Sequence, residues 1–140
     1  MKRVKFLLPL AALLLLSALL IGCSAGISGE AARLQIDGFF TAVSAGDLEE
    51  AQRCVHPSTA IDVRDFLESE EARLGVEFDD GIEVKEYTGF SSSVYDSKYK
   101  GSQYTLHMKV TVGAKEIRSS VTVVSNDKGM GIYSVSFSEK

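Results

Sequence analysis

Thiol and imidazole groups are the side chains best suited to chemistry in this chain, which has two cysteines and two histidines. Cys54 and His56 lie close together, and a thiol beside an imidazole can act as a nucleophile with its base. However, residues two apart on a helix do not share a face, and two histidines alone do not form a zinc site. The sequence therefore predicts neither a catalytic dyad nor a metal site. Cys54 lies beside Leu48 and Val55 on a predicted helix, so we expect it to be a buried small hydrophobe.

Cys23 stands in a different setting, at the end of an uncharged, leucine-rich run from Phe6 to Gly22 that follows three basic residues. A basic start, an apolar stretch and small residues form the pattern of a secretory signal. As a helix the run would reach only about 25 Å, which is short against a hydrocarbon core of about 30 Å. Residues 1–22 are therefore predicted to be a signal peptide.

The last four residues of this segment, Leu20-Ile21-Gly22-Cys23, resemble the bacterial lipobox. The resemblance implies that the Cys23 thiol receives a diacylglyceryl group and that a peptidase cuts between Gly22 and Cys23. The mature lipoprotein would then begin at a Cys23 that carries fatty acyl chains such as palmitate. Two alternatives remain open, an uncleaved membrane anchor and an ordinary signal with a chance cysteine. All three place the residues after Cys23 outside the cytoplasm. The lipoprotein interpretation places them at the cell membrane or, in a host that has one, at the outer membrane.

Processing would change both the charge and the cysteine count of the chain. Removal of residues 1–22 takes three of the 15 basic residues and none of the 19 acidic ones, so the formal net charge falls from −4 to −7. An acidic body does not attract nucleic acid or an anionic membrane surface, so lipid on Cys23 would make the membrane contact. With Cys23 modified, Cys54 has no partner for an intramolecular disulfide.

Three helices are predicted to follow a short tether. Gly46, able to adopt a positive φ, ends the first helix, and Asp47 caps the second with Glu50 as its capping-box partner. A third helix runs from about Asp62 to Leu74, and Gly75 ends it. The apolar residues of the first helix recur on one face; they are Ala32, Ile36, Phe39, Phe40 and Val43.

After residue 81 the apolar period changes from about 3.6 to two, which indicates strands. A bulge or bend is expected near Ser91–Ser93, and His107 falls on the outward parity of its strand. Gly113-Ala114 and Asn126–Gly129 are predicted turns, and so is Gly129–Gly131. Strands joined by short turns are antiparallel. The sequence thus predicts an α+β fold with an N-terminal signal helix, then about three helices on a curved four-stranded antiparallel sheet.

The stretch Phe39–Leu48 resembles the first-helix motif of the nuclear transport factor 2-like superfamily, in which an aromatic residue precedes Ala-Gly-Asp and an apolar second helix. The resemblance covers residues 29–140. This part of the chain is similar in particular to small bacterial lipoproteins. It implies a cone-shaped sheet with a pocket against the long helix. The domain organisation is then a signal peptide over 1–22, a lipidated N-terminus and tether over 23–28, and one domain over 29–140.

In the isomerase branch of that superfamily, a first-helix tyrosine donates a hydrogen bond to the oxyanion and a carboxylate acts as base. Matching the Ala-Gly-Asp motif places Phe39 at the tyrosine position and Val63 at the base position. Phenylalanine and valine cannot perform these roles, and the adjacent Asp62 suits the first turn of a helix. These departures argue against isomerase chemistry.

Two tyrosines are the candidate ligand-binding residues outside that pocket. Tyr95 and Tyr99 fall in a loop-like stretch rich in Ser, Lys and Gly, and exposed loop tyrosines often bind partners. The alternative is that they pack over the sheet edge. Acidic clusters also occur, but their spacing matches no calcium loop, so they are read as solvated; they are Glu68, Glu70, Glu71, Asp79 and Asp80.

The favoured interpretation is a lipid-anchored extracytoplasmic binding or accessory lipoprotein, without catalytic residues, metal or cofactor. Its expected partners are the membrane, through Cys23, and an unknown protein or small ligand, without nucleic acid. The alternatives are an isomerase- or hydrolase-type enzyme that uses the cone pocket, and a structural subunit of an envelope assembly, which could form a homodimer through the sheet. An apolar, filled cone would favour the assembly role, and polar groups with shifted pKa values in an open pocket would favour the enzyme.

Overall fold

A computed structural model describes residues 26–139, which form an α+β fold of three helices followed by a four-stranded antiparallel sheet. The predicted signal segment, its helix and Cys23 lie outside the described residues. The elements are α1 Gly29–Ser44, α2 Leu48–Arg53, α3 Val63–Leu74, a 3₁₀ turn Phe78–Asp80, β1 Ile82–Asp96, β2 Gly101–Val112, β3 Lys115–Asn126 and β4 Gly129–Glu139.

The helices begin and end where the sequence predicts. Gly46 follows α1 with φ 72°, and the Asp47 carboxylate accepts a hydrogen bond from the Glu50 backbone N–H at 3.1 Å to cap α2. The capping box is only half formed, because the Glu50 carboxylate pairs instead with Arg53 at 2.7 Å. Asp62 caps α3 in the same way as Asp47 caps α2, and Gly75 ends it in the left-handed conformation.

The sheet is an open meander in the order β1-β2-β3-β4, with every neighbouring pair antiparallel. At one end, Val112 pairs with Lys115 across the two-residue turn Gly113-Ala114. At the other end, the β1–β2 and β3–β4 turns lie side by side, because Gly101 pairs with both Asp96 and Asn126.

The bulge expected near Ser91–Ser93 is present, because a register shift directly follows Ser93. Two further shifts follow Val84 and Tyr87, and at each shift extra β1 residues bulge away from the ladder and bend the strand. Two other local predictions about the strands are wrong. Gly129–Gly131 is not a turn but the start of β4. Tyr95, predicted in a loop, lies within β1.

The helices cover one face of the sheet, here called the inner face, and leave the outer face open. Side chains alternate between the two faces along a strand, so Met108 and Val110 of β2 point inward and His107 and Lys109 point outward. Phe137 of β4 lies on the inner side, with its ring 5.2 Å from that of Phe78. The core therefore lies between the helices and the inner face.

Candidate functional site

The space between α1 and the sheet, where a cone pocket would lie, is filled with apolar side chains. Ile36 and Phe39 of α1 meet Met108, Val110 and Val121 of the sheet, and each of these five is at most 1% exposed. Close packing of this kind leaves little room for a ligand. Among the described residues, surface cavities lie on the outer face and at the two ends of the sheet.

The two positions that the expected resemblance matches to an isomerase acid and base, Phe39 and Val63, are used in packing. Phe39 and Val63 are both 1% exposed and belong to the core. The Asp62 carboxylate accepts a hydrogen bond from the Asp65 backbone N–H at 3.1 Å, as a helix cap. These three residues thus have structural roles that account for their types.

His56 is buried, which the sequence did not indicate. Its Nδ1 accepts a hydrogen bond from the Ser58 backbone N–H at 2.9 Å. The hydrogen of the neutral ring is therefore on Nε2, which lies 3.0 Å from both Asn126 Oδ1 and the Gly129 carbonyl oxygen. The Asn126 side-chain amide in turn donates to the Tyr99 carbonyl oxygen at 2.9 Å. His56 thus ties the segment after α2 to both turns at this end of the sheet.

Cys54 does not activate or use this imidazole. Its Sγ lies against Gly38 of α1, and the thiol is half-buried rather than fully buried as expected. Burial, and then the negative charge of Glu50, raise the pKa of the Cys54 thiol. A raised pKa keeps the thiol protonated and unreactive near neutral pH. The backbone of Cys54 is also engaged, because its carbonyl oxygen accepts from the Ile132 N–H at 2.8 Å.

The outer face carries a shallow polar cavity of about 350 Å³ across β2 and β3. Lys109 and Arg118 are paired directly across the strands, and His107 is paired with Ser120. His107 Nδ1 lies 2.6 Å from Ser120 Oγ, and Lys109 Nζ lies 3.5 Å from a carboxylate oxygen of Glu86. Ser138 and Thr88 complete the polar lining.

The charged and polar groups of this cavity are suited to binding. Two cations directly opposite one another are unfavourable in a sheet unless a negative group lies near them, and Glu86 meets only the Lys109 side. Hydroxyl groups beside Lys and Arg suit an anionic group or a polar protein surface. Because the Gly113-Ala114 turn sets the register of β2 on β3, the pairing of Lys109 with Arg118 was readable from the sequence, although it was not predicted.

Tyr95 and Tyr99, the two predicted binding residues, do not converge on one site. The Tyr95 side chain is 67% exposed on β1. Tyr99 is half-buried in the β1–β2 turn, where its ring packs edge-on against Tyr133 at 4.8 Å. Lys98 Nζ lies 5.1 Å from the centre of the Tyr99 ring. Tyr99 thus packs over the sheet edge, as the alternative expectation had it, while Tyr95 is free to meet a partner.

The acidic residues gather at the opposite end of the sheet. Carboxylate oxygens of Glu77, Asp79 and Asp80 lie within 4.8 Å of one another on the surface, close enough to share a cation. Glu71 on α3 lies nearby in a shallow groove. Burial and the charges of Asp79, Glu77 and Glu68 raise the pKa of the Glu71 carboxyl.

Comparison of the sequence with known proteins identifies no family. No known family model matches this sequence, and no characterised protein is significantly similar to it. Among residues 26–139, no helix is both long and apolar enough to cross a membrane.

Proposed function

We propose that this protein is a lipid-anchored, extracytoplasmic accessory lipoprotein that binds a partner through the outer face of its sheet. Residues 1–22 act as the signal peptide, Cys23 carries the lipid, and residues 29–140 form the binding domain. The observation that carries the proposal is the contrast between a filled inner side and an open, polar outer face. A domain built in this way uses its surface, rather than an internal pocket, for recognition.

The same proposal includes membership of the nuclear transport factor 2-like superfamily and a cone-like curvature of the sheet. The order of three helices before an antiparallel meander supports it. The three register shifts along β1 support the curvature, because each bulge bends the strand that contains it. An accessory role suits such a domain, since this fold carries many unrelated functions.

The outer-face cavity is the proposed recognition site. Lys109 and Arg118 present two cations side by side, with the His107 and Ser120 side chains beside them. We expect the partner to offer a carboxylate or another anion, because a planar guanidinium and an ammonium group both favour such acceptors. The surrounding serine and threonine hydroxyls can add neutral hydrogen bonds.

The anchor is tested by the intact mass of the mature N-terminal peptide from native membranes, beside a Cys23→Ala variant. The proposal expects a diacylated or triacylated Cys23 in the wild type, and loss of both the lipid and membrane retention in the variant. An unmodified Cys23, with residues 1–22 still attached or cut elsewhere, would overturn it. Cys23 would then be free to pair with Cys54.

The recognition site is tested in cells with a photo-crosslinking amino acid placed at Ser120. An equivalent probe at Arg64, an exposed residue of α3 on the helical side, serves as the control. The proposal expects a discrete crosslinked product from position 120 that Lys109→Glu with Arg118→Glu abolishes. Crosslinking from position 64 only, or a product that survives the charge reversal, would contradict this assignment.

A further inference from the structure

The two ends of the sheet differ in charge. At the end where the β1–β2 and β3–β4 turns lie side by side, here called the lysine end, the two turns carry Lys98, Lys100 and Lys128, with Asp96 and Asp127 beside them in the sequence. The other end, here called the acidic end, holds the Glu77, Asp79 and Asp80 cluster with Glu71. The whole mature chain has a formal net charge of −7, so the lysine end is a local exception.

Exposed apolar side chains also concentrate at the lysine end. Val94 and Tyr95 are 66% and 67% exposed. They occupy the last bulge of β1, where two residues stand against the single Ser102 of β2. The bulge leaves both side chains outside the packed ladder. Met130, exposed at the start of β4, lies at the same end of the sheet. The lysine end thus combines apolar and cationic groups, as surfaces that meet lipid do.

The chain enters the domain at this same end. A Cβ atom added to Gly26 would lie 3.5 Å from both Val94 Cα and Ser102 Oγ, so Gly26 rests against the β1 bulge. Cys23 is three residues away, and consecutive Cα atoms are 3.8 Å apart. The Cα of Cys23 can therefore lie no more than about 11 Å from that of Gly26.

The acidic end is much farther from the lipidated residue. A strand of 12 residues such as β2 spans about 40 Å at roughly 3.3 Å per residue. A lipid on Cys23 is held in the bilayer, so the lysine end is kept at the membrane surface. The acidic end carries the same sign of charge as anionic lipid headgroups, which repel it. This repulsion favours the same orientation, with the acidic end away from the membrane.

We infer that the lysine end docks on the bilayer that holds the Cys23 lipid, with Val94 and Tyr95 at the interface and the three lysines on anionic headgroups. This inference rests on the proposed lipid anchor. Tyrosine suits the position because its ring has an apolar body and a polar tip. Docking in this way would hold the sheet upright and keep the outer-face cavity clear of the membrane.

The absence of tryptophan from the chain permits a direct test with single fluorescent reporters. Tyr95→Trp places the reporter at the lysine end, and Ala114→Trp places a matched one in the exposed β2–β3 turn at the acidic end. Each mature lipidated protein is reconstituted into phosphatidylcholine–phosphatidylglycerol vesicles with and without brominated lipid. We expect bromine to quench the Tyr95→Trp emission at least twofold more than that of Ala114→Trp.

Charge-reversal variants test whether the lysines contact the headgroups or whether the lysine end only lies near the membrane. Lys98→Glu with Lys128→Glu, added to Tyr95→Trp, should lower the quenching in vesicles that contain phosphatidylglycerol. Arg64→Glu with Lys85→Glu changes the net charge by the same amount away from the lysine end and should leave it unchanged. Equal effects of the two pairs would overturn the role of the lysines.

The outcomes also separate this inference from the proposed function. A lipidated protein that floats with the vesicles, yet shows no selective quenching of Tyr95→Trp, overturns the docking alone. A blue-shifted Tyr95→Trp emission that depends on protein concentration and not on bromine would assign the patch to a second copy of the chain. A protein without lipid on Cys23, shown by its mass, overturns both the anchor and the docking.

Discussion

The inner and outer faces of the sheet are built from the same strands but differ in how strongly folding constrains their residues. Along β2, inward residues such as Met108 and Val110 are almost completely buried, whereas His107 and Lys109, which alternate with them, reach solvent. A residue on the inner face is chosen for volume and for the absence of unpaired polar atoms. A residue on the outer face is constrained far less by folding, so its chemistry is available for recognition.

This difference explains why the outer face is the better place to look for function. The Phe39 ring of α1 packs in the core on the inner face, where it is 1% exposed. On the outer face, the Lys109 and Arg118 pair contributes little to folding, because like charges directly opposite one another destabilise a sheet. A feature that stability does not require is a reasonable candidate for binding.

The largest effect on the free energy of unfolding is expected from a substitution on the inner face. Phe39→Ala should lower the free energy of unfolding by about 3–5 kcal/mol, because it removes a ring from a packed core and leaves a cavity. Lys109→Ala on the outer face should change it by less than about 0.5 kcal/mol, since it breaks only an exposed ion pair with Glu86. Urea unfolding followed by circular dichroism measures both.

Phe39→Leu provides a milder inner-face variant in case the alanine protein does not fold. Its loss should fall between those of the other two variants, because leucine retains part of the buried volume. Similar losses for Phe39→Leu and Lys109→Ala would show that the two faces do not differ in the way described.

Much of the fold could be predicted from local sequence, because its determinants are local. Gly46 and Gly75 end helices by adopting a positive φ, and Asp47 and Asp62 cap the helices that follow them. Two-residue turns force antiparallel strands, so the sheet order follows from the short connections. Each of these features depends on residues only a few positions apart.

The features that could not be predicted depend on contacts between distant segments. His56 is buried because the segment after α2 packs on β4, where the His56 N–H donates to the Ile132 carbonyl oxygen at 2.8 Å. Nothing near His56 in the sequence indicates that contact. The bulges of β1 likewise depend on how β1 is matched to β2, which is why the sequence indicated the one near Ser93 but not those after Val84 and Tyr87.

The candidate site could be predicted in part from the sequence. The Gly113-Ala114 turn sets the β2–β3 register, so the positions of Lys109 and Arg118 could have been paired from the sequence alone. That apolar side chains of α1 and the inner face form one buried cluster could be seen only once the helices were packed on the sheet.

A smaller effect is expected at adjacent serines that face opposite sides of β3. Ser119 faces inward, 3% exposed, and among the described residues its buried hydroxyl has no hydrogen-bond partner. Ser119→Ala should therefore raise the free energy of unfolding by about 1 kcal/mol, since it removes an unsatisfied polar group. Ser120→Ala, which loses only the exposed contact with His107, should change it by less than about 0.5 kcal/mol.

Thermal unfolding of the two alanine variants, measured under identical conditions, distinguishes these expectations. The inner-face variant should melt above the wild type and the outer-face variant close to it. A lower melting temperature for Ser119→Ala would mean that the inner hydroxyl is bonded after all, for instance to a buried water molecule.

The smallest effects concern two carboxyl groups whose pKa values move in opposite directions. The pKa of Glu71 is raised above its ordinary value, by burial and by neighbouring acids, so ionised Glu71 weakens the folded state. A raised folded pKa gives stability that is present below the unfolded pKa and is lost as the pH rises through the folded value. Glu71→Gln should therefore raise the melting temperature at neutral pH and have little effect in acid.

Glu139 provides the matched opposite. A hydrogen bond from Lys115 Nζ, and then its positive charge, lower the pKa of Glu139. A depressed folded pKa gives stability that is present above the unfolded pKa and is lost as the pH falls through the folded value. Glu139→Gln should therefore lower the melting temperature slightly at neutral pH, and the difference should vanish in acid.

Melting curves of both variants from about pH 3 to about pH 7 bracket the ordinary glutamate pKa of about 4.3. If both substitutions shifted the melting temperature in the same direction at neutral pH, the repulsion around Glu71 would not outweigh the packing and hydrogen bonds of its side chain.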